Sequence, residues 1–318
     1  MANPGWSRSE SPFHAGELAI QARLGIQERM DRQGRRIIRE YLTQQHRQFF
    51  AQLSYVIVGT VDEFANPWAS ILVGEPGFLH SPSDRNLKVK ANILAGDPLK
   101  VTLKEGIDMG LLGIELHSRR RNRLNGIVSQ IDADGFEIQV KQTFGNCPQY
   151  IQARSFERAR ASASPQTSDF TSFTTWEQKL IANADTFFIA TAYQDKSGGL
   201  TKGVDVSHRG GKPGFIRIDD NQTLTIPDFS GNGHFNTLGN LELNPRAGLL
   251  FVDFTNGDVL YLTGTTEVIW SGPEVRAYAG AEQLIRFHLV RGYRVTGSIP
   301  LSWSRPKNSP LLAPTGPW

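Results

Sequence analysis

One short run of the sequence combines residue types that bind phosphate or a planar anionic group. The run is SHRGGK, and its candidate binding residues are Ser207, His208, Arg209, Gly210, Gly211 and Lys212. Paired glycines permit positive φ angles and close approach of a ligand to the backbone. Exposed N–H groups in such a turn bind oxyanions, and arginine offers paired donors to a phosphate. The run therefore predicts a site for a phosphate-bearing cofactor, with a basic surface hairpin as the alternative.

A second candidate lies where a helix is predicted to begin, at Asn236 and Thr237. Both residue types cap helices, and a helix N-terminus also binds phosphate well. These two roles are compatible, so we expect both residues to contact the phosphate.

The densest basic cluster of the chain comprises Arg119, Arg120, Arg121 and Arg123. It lies at a predicted turn between two strands, where the alternative is a solvated turn. Arg123 lies in the strand-like RLNG and is the preferred ligand-binding residue of the cluster.

Other reactive residue types give weaker signals. His208 would act as a proton donor or as a hydrogen-bond partner of the ligand, with a structural role as the alternative. The single thiol, Cys147, is expected to be inert. Glu115 and Asp253 lie on apolar strands and are expected to form structural pairs. We find no Ser-His-Asp grouping, no catalytic carboxylate pair and no metal-ligand spacing, so no metal site is predicted.

Composition sets the broad class of the protein. The chain has 318 residues, 39% hydrophobic and 20% charged, with a net charge of +3, which is typical of folded domains. Acidic residues nearly balance basic ones, so nucleic-acid binding is not predicted. No apolar run approaches the ~20 residues that span a membrane, and the N-terminus lacks an apolar signal core. The sequence predicts a cytoplasmic protein with a small-molecule substrate and no membrane partner, and it leaves a homodimer open.

The elements that must position these residues are mostly short strands. A helical pattern runs from Gly16 to about Phe50, and a short helix is predicted over Leu87–Leu94. Residues 145–169 are interpreted as a short helix followed by a linker. A T-x-x-E capping box at Thr174 starts another helix, and the Pro-rich tail after residue 305 is not expected to fold alone.

Three matches indicate an internal repeat. GEPGF at Gly74 matches GKPGF at Gly211, an offset of 211 − 74 = 137 residues. GLLGIEL at Gly110 matches GLLFVDF at Gly248, and LNG at Leu124 matches LTG at Leu262, both at an offset of 138. The common order predicts two similar β units packed face to face, as in a dimer. The fold class is therefore mainly β with peripheral helices.

The second half resembles the pyridoxamine 5'-phosphate oxidase-like FMN-binding split barrel. The resemblance rests on a strand with SHRGGKPGFIRI, a polar loop, FNTLGNLELNPRAGLLF and a closing strand. The segments FHAGE, RRRNRLNG and GNCPQYIQ resemble a bacterial subgroup with two such barrels in one chain. The resemblance implies tandem split barrels that form an intrachain pseudo-dimer. The implied regions are a helical extension (1–49), a degenerate barrel (50–165), a cofactor-binding barrel (166–305) and a tail (306–318).

The family binds FMN in the groove between two barrels, with the phosphate at the helix before the NP turn. This chain has Phe235, Asn236 and Thr237 where the oxidases have Ser-Arg-Lys, so other cations must meet the phosphate: Arg209 with Lys212, or the Arg119–Arg123 cluster. The resemblance implies a flavin-dependent oxidoreductase acting on an unknown small molecule with a separate electron donor. The alternatives are a non-catalytic binder of flavin, haem or deazaflavin and a cofactor-free ligand-sensing barrel. The first repeat lacks SHRGG, so one site per chain is expected.

Overall fold

The protein is described by a computed structural model, which covers residues 5–162, 164–193, 199–316 and 318. Three helices open the chain: α1 (Ala15–Arg23), α2 (Gln27–Ile37) and α3 (Gln44–Gln52). The predicted single helical span over Gly16–Phe50 is therefore wrong in part. After α2 the chain is extended, because Arg39 pairs with Thr143 of a later strand through two backbone hydrogen bonds.

The first half forms a seven-stranded antiparallel sheet. Its elements are β1 (Tyr55–Val61), β2 (Pro67–Val73), β3 (Leu79–Ser83), β4 (Asn86–Val89), α4 (Leu99–Thr102), β5 (Asp108–Glu115), β6 (Arg120–Asp132) and β7 (Gly135–Asn146). The predicted helix over Leu87–Leu94 is wrong. Its apolar residues alternate with polar ones at period two, and Leu87 and Val89 point into the core from β4, which pairs with β7.

The middle of the chain links the two halves without the predicted helix in its described part of residues 145–169. It contains β8 (Phe156–Arg158) and β9 (Gln166–Phe170) instead. The capping box that was predicted at Thr174 is confirmed and begins α5 (Thr175–Asn183).

The second half repeats the pattern of the first half. Its elements are β10 (Thr186–Tyr193), β11 (Gly203–Gly210), β12 (Arg217–Ile218), β13 (Thr223–Phe229), α6 (Asn236–Leu243), β14 (Arg246–Val252), β15 (Val259–Ile269), α7 (Pro273–Ala277) and β16 (Ala281–Thr296). The chain ends with β17 (Leu301–Trp303), which pairs with β8, and a 3-10 turn (Pro310–Leu312). The tail packs onto the second half, where the Trp318 indole N–H donates to the Phe215 carbonyl at 2.9 Å.

The two large sheets have the same strand order. The first runs β2-β1-β5-β6-β7-β4-β3 and the second β11-β10-β14-β15-β16-β13-β12, with β9 added beside β16. The three sequence matches fall at equivalent places: after β2 and β11, in β5 and β14, and in β6 and β15. Within the described residues, no strand pairing closes either sheet into a barrel.

The sheets pack against each other through reciprocal close contacts. A side chain added at Gly110 of β5 would collide with the Val204 carbonyl of β11, and one at Gly248 of β14 would collide with the Pro67 carbonyl of β2. At the centre, a methyl group on Gly59 would lie 3.3 Å from Cβ of Ala190. The absence of side chains at Gly110 and Gly248 therefore lets the two backbones approach closely. A buried apolar cluster that includes Ile57, Leu112, Phe188 and Leu250 lies between the sheets. No described helix is long and apolar enough to cross a membrane.

Candidate functional site

A cavity of about 120 Å³ opens between the two sheets. We call it the arginine groove. One wall comes from β6 and the segment after β7, and the other from β11, the end of β13 and the start of α6. The groove collects seven predicted residues: Arg123, Ser207, His208, Arg209, Gly210, Asn236 and Thr237.

The β11 strand places His208 and Arg209 in the groove. It pairs along its length with β10, so His208 faces Phe188 and Arg209 faces Phe187 across the ladder. Arg209 forms an ion pair with Asp228 at the end of β13, and its Nε has no hydrogen-bond partner among the residues that the structure describes. Part of the hydrogen-bonding capacity of the Arg209 guanidinium is therefore not satisfied by described protein groups.

His208 is buried and 5% exposed, and neither ring nitrogen has a hydrogen-bond partner in the part of the chain that the structure describes. Burial, together with the charges of Arg121 and Arg209, lowers the pKa of His208 well below its ordinary range. The ring is therefore neutral at neutral pH. It can give or take a hydrogen bond through its tautomers, but it does not carry the proton of an imidazolium acid.

Arg123 reaches across from the first sheet to the second, as predicted. Its guanidinium pairs with Asp205 and donates to Ser207 Oγ, both on β11. Burial raises the pKa of Asp205, but Arg123, Asn125 and His14 outweigh it, so the net pKa is lowered. Arg123 is only 3% exposed, so Asp205 largely compensates its charge.

Arg121 is the arginine of the cluster that remains available. Its Nε donates to the Cys147 carbonyl at 2.6 Å, and Nη1 lies 3.4 Å from the His208 carbonyl. Among the described residues it has no carboxylate partner. Burial and the neighbouring arginines lower the pKa of Arg121 to about 10, so it stays charged at neutral pH. A group that is cationic and lacks a carboxylate favours an anionic ligand.

The remaining cluster members point elsewhere. Arg119 donates to the carbonyls of Ile151, Lys307 and Asn308, and Arg120 lies over the Phe49 ring. The sequence identified the cluster but not which members face the groove, because neighbouring strand residues point to opposite faces.

Helix α6 begins at the groove, and among the described residues no side chain caps its N-terminus. Its N-cap is Phe235, at φ 62°, and this residue makes no side-chain capping bond. Thr237 Oγ1 donates to Ser207 Oγ at 3.2 Å, and the Asn236 amide donates to Glu17 of α1. The uncapped N–H groups and the positive end of the helix dipole favour an anion here.

Sequence reasoning missed the loop that leads into this helix. Residues 230–235, SGNGHF, line the groove except for His234. Gly233 has φ +77°, a conformation that favours glycine. Two glycines spaced by one residue, shortly before a helix, are the available signal, whereas the prediction for this loop is only that it is polar.

Two predicted residues, Gly211 and Lys212, are not among the groove residues. Lys212 Nζ donates to the Thr315 carbonyl of the tail. Positive φ in this turn occurs at Gly214 and not at the glycine pair. The space beside Gly210 is occupied by the Tyr150 carbonyl and that beside Gly211 by the Phe215 ring. The glycine pair therefore permits close packing of the chain on itself.

Cys147 lies on the groove wall as a free thiol, and Arg121 holds its backbone carbonyl. The aligned acids Glu115 and Asp253 have local partners: Glu115 accepts from Gln52 at 2.9 Å, and Asp253 accepts from the backbone of Thr255 at 2.8 Å. Neither acid lines the groove, which agrees with the structural role expected for them.

A buried polar network supports the groove from behind. Asp205 accepts hydrogen bonds from Asn125 at 2.8 Å and from Asn240 of α6 at 2.9 Å. Glu17 is 3% exposed, and burial together with the charge of Asp205 raises its pKa well above the ordinary range. The network ties α1, α6, β6 and β11 together and fixes the helix start relative to the arginines.

No protein-family model and no curated protein matches the chain. Solved structures match it weakly. HupZ of Group A Streptococcus is 19% identical over 37% of this chain and 89% of its own, with a TM-score of 0.30. A candidate pyridoxamine 5'-phosphate oxidase of Lactobacillus delbrueckii is 13% identical over 39% and 94%, with a TM-score of 0.29. The MrkH–c-di-GMP complex of K. pneumonia is 9% identical over 76% and 78%, with a TM-score of 0.20.

HupZ and the candidate oxidase are matched at low identity and over little more than a third of the chain.

Proposed function

We propose that the arginine groove binds FMN and that the protein is a flavin-dependent oxidoreductase acting on a small molecule. The observation that carries the proposal is that Arg121, which lacks a carboxylate partner among the described residues, and the uncapped N-terminus of α6 line the same cavity. A guanidinium and open helix N–H groups at one place are complementary to a phosphate.

The residues present fit the two ends of this cofactor. Arg121 and the N–H groups of Asn236 and Thr237 would hold the phosphate, and Ser207 would be a further donor. The ring would lie along β11, near Arg209 and the neutral His208. A cavity of about 120 Å³ is smaller than the ~300 Å³ of ordinary ligand sites, so part of the cofactor must lie in the open mouth.

Flavin supplies the electron-transfer chemistry when it is bound. The chain's own contribution is positioning and charge. Arg209 offers a cation that favours negative charge on a reduced ring, and Asp228 fixes the orientation of that cation. The reductant is proposed to be a separate protein.

We further propose that the two halves are split barrels that form an intrachain pseudo-dimer. The matching strand orders and the reciprocal contacts at Gly110 and Gly248 support this interpretation. A pseudo-dimer has two grooves of related position. Only one of them carries the arginines, which supports one cofactor per chain.

A non-catalytic flavin, haem or deazaflavin binder is the second candidate. The observation that favours it is His208, whose low pKa leaves the groove without a cationic acid at this position of β11. Reduction of the loaded protein by NADH or NADPH, followed by turnover of an acceptor, separates the two candidates.

The test is to titrate the full chain with FMN and with riboflavin and to follow the flavin absorbance of the protein fraction. Because the phosphate contacts are charge-assisted, FMN should bind at least roughly 100-fold more tightly than riboflavin. Equal affinities would place the phosphate outside the groove. Binding of haem or deazaflavin without FMN binding would support the second candidate, and no binding of any of these would sink both.

A further inference from the structure

A second cavity, of about 370 Å³, lies among α5, the start of β10 and the hairpin between β14 and β15. We call it the α5 cavity. It shares no lining residue with the arginine groove. Asp185 forms part of it, and the carbonyl of the same residue accepts from Gly211 N at 3.1 Å. Its volume falls in the range of small-molecule sites.

The cavity contains a buried ion pair whose hydrogen bonding is incomplete. Arg154 Nη2 donates to Asp185 Oδ2 at 2.6 Å, and the two residues are 7% and 6% exposed. Arg154 Nη1 and Asp185 Oδ1 have no hydrogen-bond partner among the described residues. The hydroxyl of the neighbouring Thr186, 1% exposed, also has none. Buried polar groups without partners are costly, which favours a ligand or water that completes them.

The other acids of the cavity are already satisfied. Asp253 accepts from two backbone N–H groups of its own turn and from the Asn256 amide. Asp258 Oδ1 accepts from Gly297 N at 2.7 Å. The unused hydrogen-bonding capacity among the buried lining residues is therefore that of Arg154, Asp185 and Thr186.

Two aromatic residues complete the lining. The Arg154 guanidinium lies 4.3 Å from the centroid of the Phe254 ring, and Trp176 of α5 also lines the cavity. The Arg294 guanidinium lies 4.9 Å from the centroid of the Trp176 ring, which leaves the opposite face of that ring for a ligand. Aromatic surfaces of this kind favour a flat ligand, which stacks on them.

The ion pair also selects the polar group of such a ligand. A carboxylate would gain from Arg154 but be repelled by Asp185, and an ammonium group would meet the reverse. A primary carboxamide carries an acceptor for Arg154 and a donor for Asp185 without net charge. The edge of a purine base offers the same combination.

We propose that the α5 cavity binds a small planar ligand with a carboxamide or an equivalent donor–acceptor edge, of the kind found in nicotinamide and adenine. This site is separate from the arginine groove, and its occupancy does not depend on a flavin.

The experiment titrates the full chain with nicotinamide, adenine and nicotinic acid by saturation-transfer NMR and calorimetry. Nicotinamide or adenine should bind, and nicotinic acid, which has the same ring size but a carboxylate, should bind about tenfold more weakly than nicotinamide. Thr186→Val keeps the shape and should weaken nicotinamide binding several-fold, and Trp176→Ala should weaken it about tenfold. Thermal unfolding of both variants shows that the fold is kept.

Arg121→Val is the matched control, because it changes only the arginine groove and should leave nicotinamide affinity unchanged. A loss of affinity in this variant would place the ligand in the other cavity and overturn the proposal. The proposal is also overturned if neither nicotinamide nor adenine binds, since water alone then fills the cavity, or if nicotinic acid binds as well as nicotinamide.

Discussion

The arginine groove has a counterpart in the other half of the molecule, formed by β2 and β15. Gly59 pairs with Ala69 on β2, and Ala190 pairs with Val206 on β11, which makes Ala69 and Val206 equivalent. From this register, Ser207, His208 and Arg209 correspond to Ser70, Ile71 and Leu72. The pairings of β5 with β6 and of β14 with β15 make Arg121 equivalent to Val259 and Arg123 to Tyr261.

The counterpart is filled by its own side chains. Tyr261 donates to Asp97 Oδ2 at 3.0 Å, and Ser70 donates to Asp97 Oδ1 at 2.5 Å. All three residues are buried. One scaffold therefore carries a closed hydrogen-bonded core on one side and an open cationic groove on the other. The difference lies in a few strand positions, while the backbone contacts between the sheets are reciprocal.

The reciprocal contacts between the sheets predict that equivalent substitutions lower the free energy of unfolding by equal amounts. Gly110→Ala and Gly248→Ala each force a methyl group against a carbonyl of the opposite sheet, so each should lower the free energy of unfolding by about 3 kcal/mol. Gly145→Ala is the control, because its nearest neighbour would be Asn122 Oδ1 at 3.5 Å, and it should change stability by less than about 1 kcal/mol. Urea denaturation measures all three. A large loss at only one of the two positions would break the proposed symmetry.

Two buried groups, one in the counterpart groove and one in the loop beside the arginine groove, should give stability opposite dependences on pH. Burial raises the pKa of Asp97 from 3.8 to about 6, so its stabilising contribution is present below pH 4 and is lost as the pH rises through 6. Burial and Arg123 lower the pKa of His234, in the loop before α6, from 6.5 to about 4, so stability is lost as the pH falls from 6.5 towards 4. Each effect is worth about 3 kcal/mol.

The measurement compares wild type with Asp97→Asn and with His234→Phe by urea denaturation at pH 4.5 and pH 7. The free energy of unfolding of wild type minus that of Asp97→Asn should be larger at pH 4.5 than at pH 7. The same difference taken against His234→Phe should be larger at pH 7. Differences of the same sign would contradict the environments assigned to the two residues.

Exchanging a groove residue for its counterpart should remove ligand binding. Arg121→Val gives position 121 the residue type of its counterpart, Val259. FMN affinity should then fall about 100-fold, because a charge-assisted contact is lost. Arg120→Val is the control on the neighbouring, exposed position and should bind FMN within about twofold of wild type. Fluorescence titration of FMN measures both. An unchanged affinity in Arg121→Val would place the phosphate elsewhere.

A smaller effect is expected where α6 begins. Thr237→Val keeps the shape but removes the hydroxyl that contacts Ser207 Oγ, so FMN affinity should fall roughly fivefold, the equivalent of about 1 kcal/mol. The same titration measures it, with Thr223→Val as the control, because Thr223 lies on β13 but does not line the arginine groove. A loss as large as that of Arg121→Val would indicate that the helix start, and not the arginine, dominates binding.

Much of the β framework was predictable because it depends on local patterns. The three repeated segments occupy equivalent strands, and Asn236 does begin a helix. Even the reach of Arg123 to the second half followed from the repeat. In these cases, residue type and alternation along a strand determine the structure.

The remaining features depend on contacts between distant segments. Nothing near Ile38 indicates that Arg39 pairs with Thr143, more than a hundred residues away. Lys212 looked like a phosphate ligand beside Arg209, but the tail supplies the Thr315 carbonyl that binds it. Arg120 and Arg121 are the same residue type, and they differ only in the face of β6 on which each side chain lies.

The most direct test of the central claim is the number of FMN molecules that one chain holds. Native mass spectrometry of the full chain saturated with FMN should show one FMN per chain, and Arg121→Val measured at the same ligand concentration should show almost none. Two FMN molecules per chain would mean that the β2–β15 counterpart also binds, and none would mean that the arginine groove is not a flavin site.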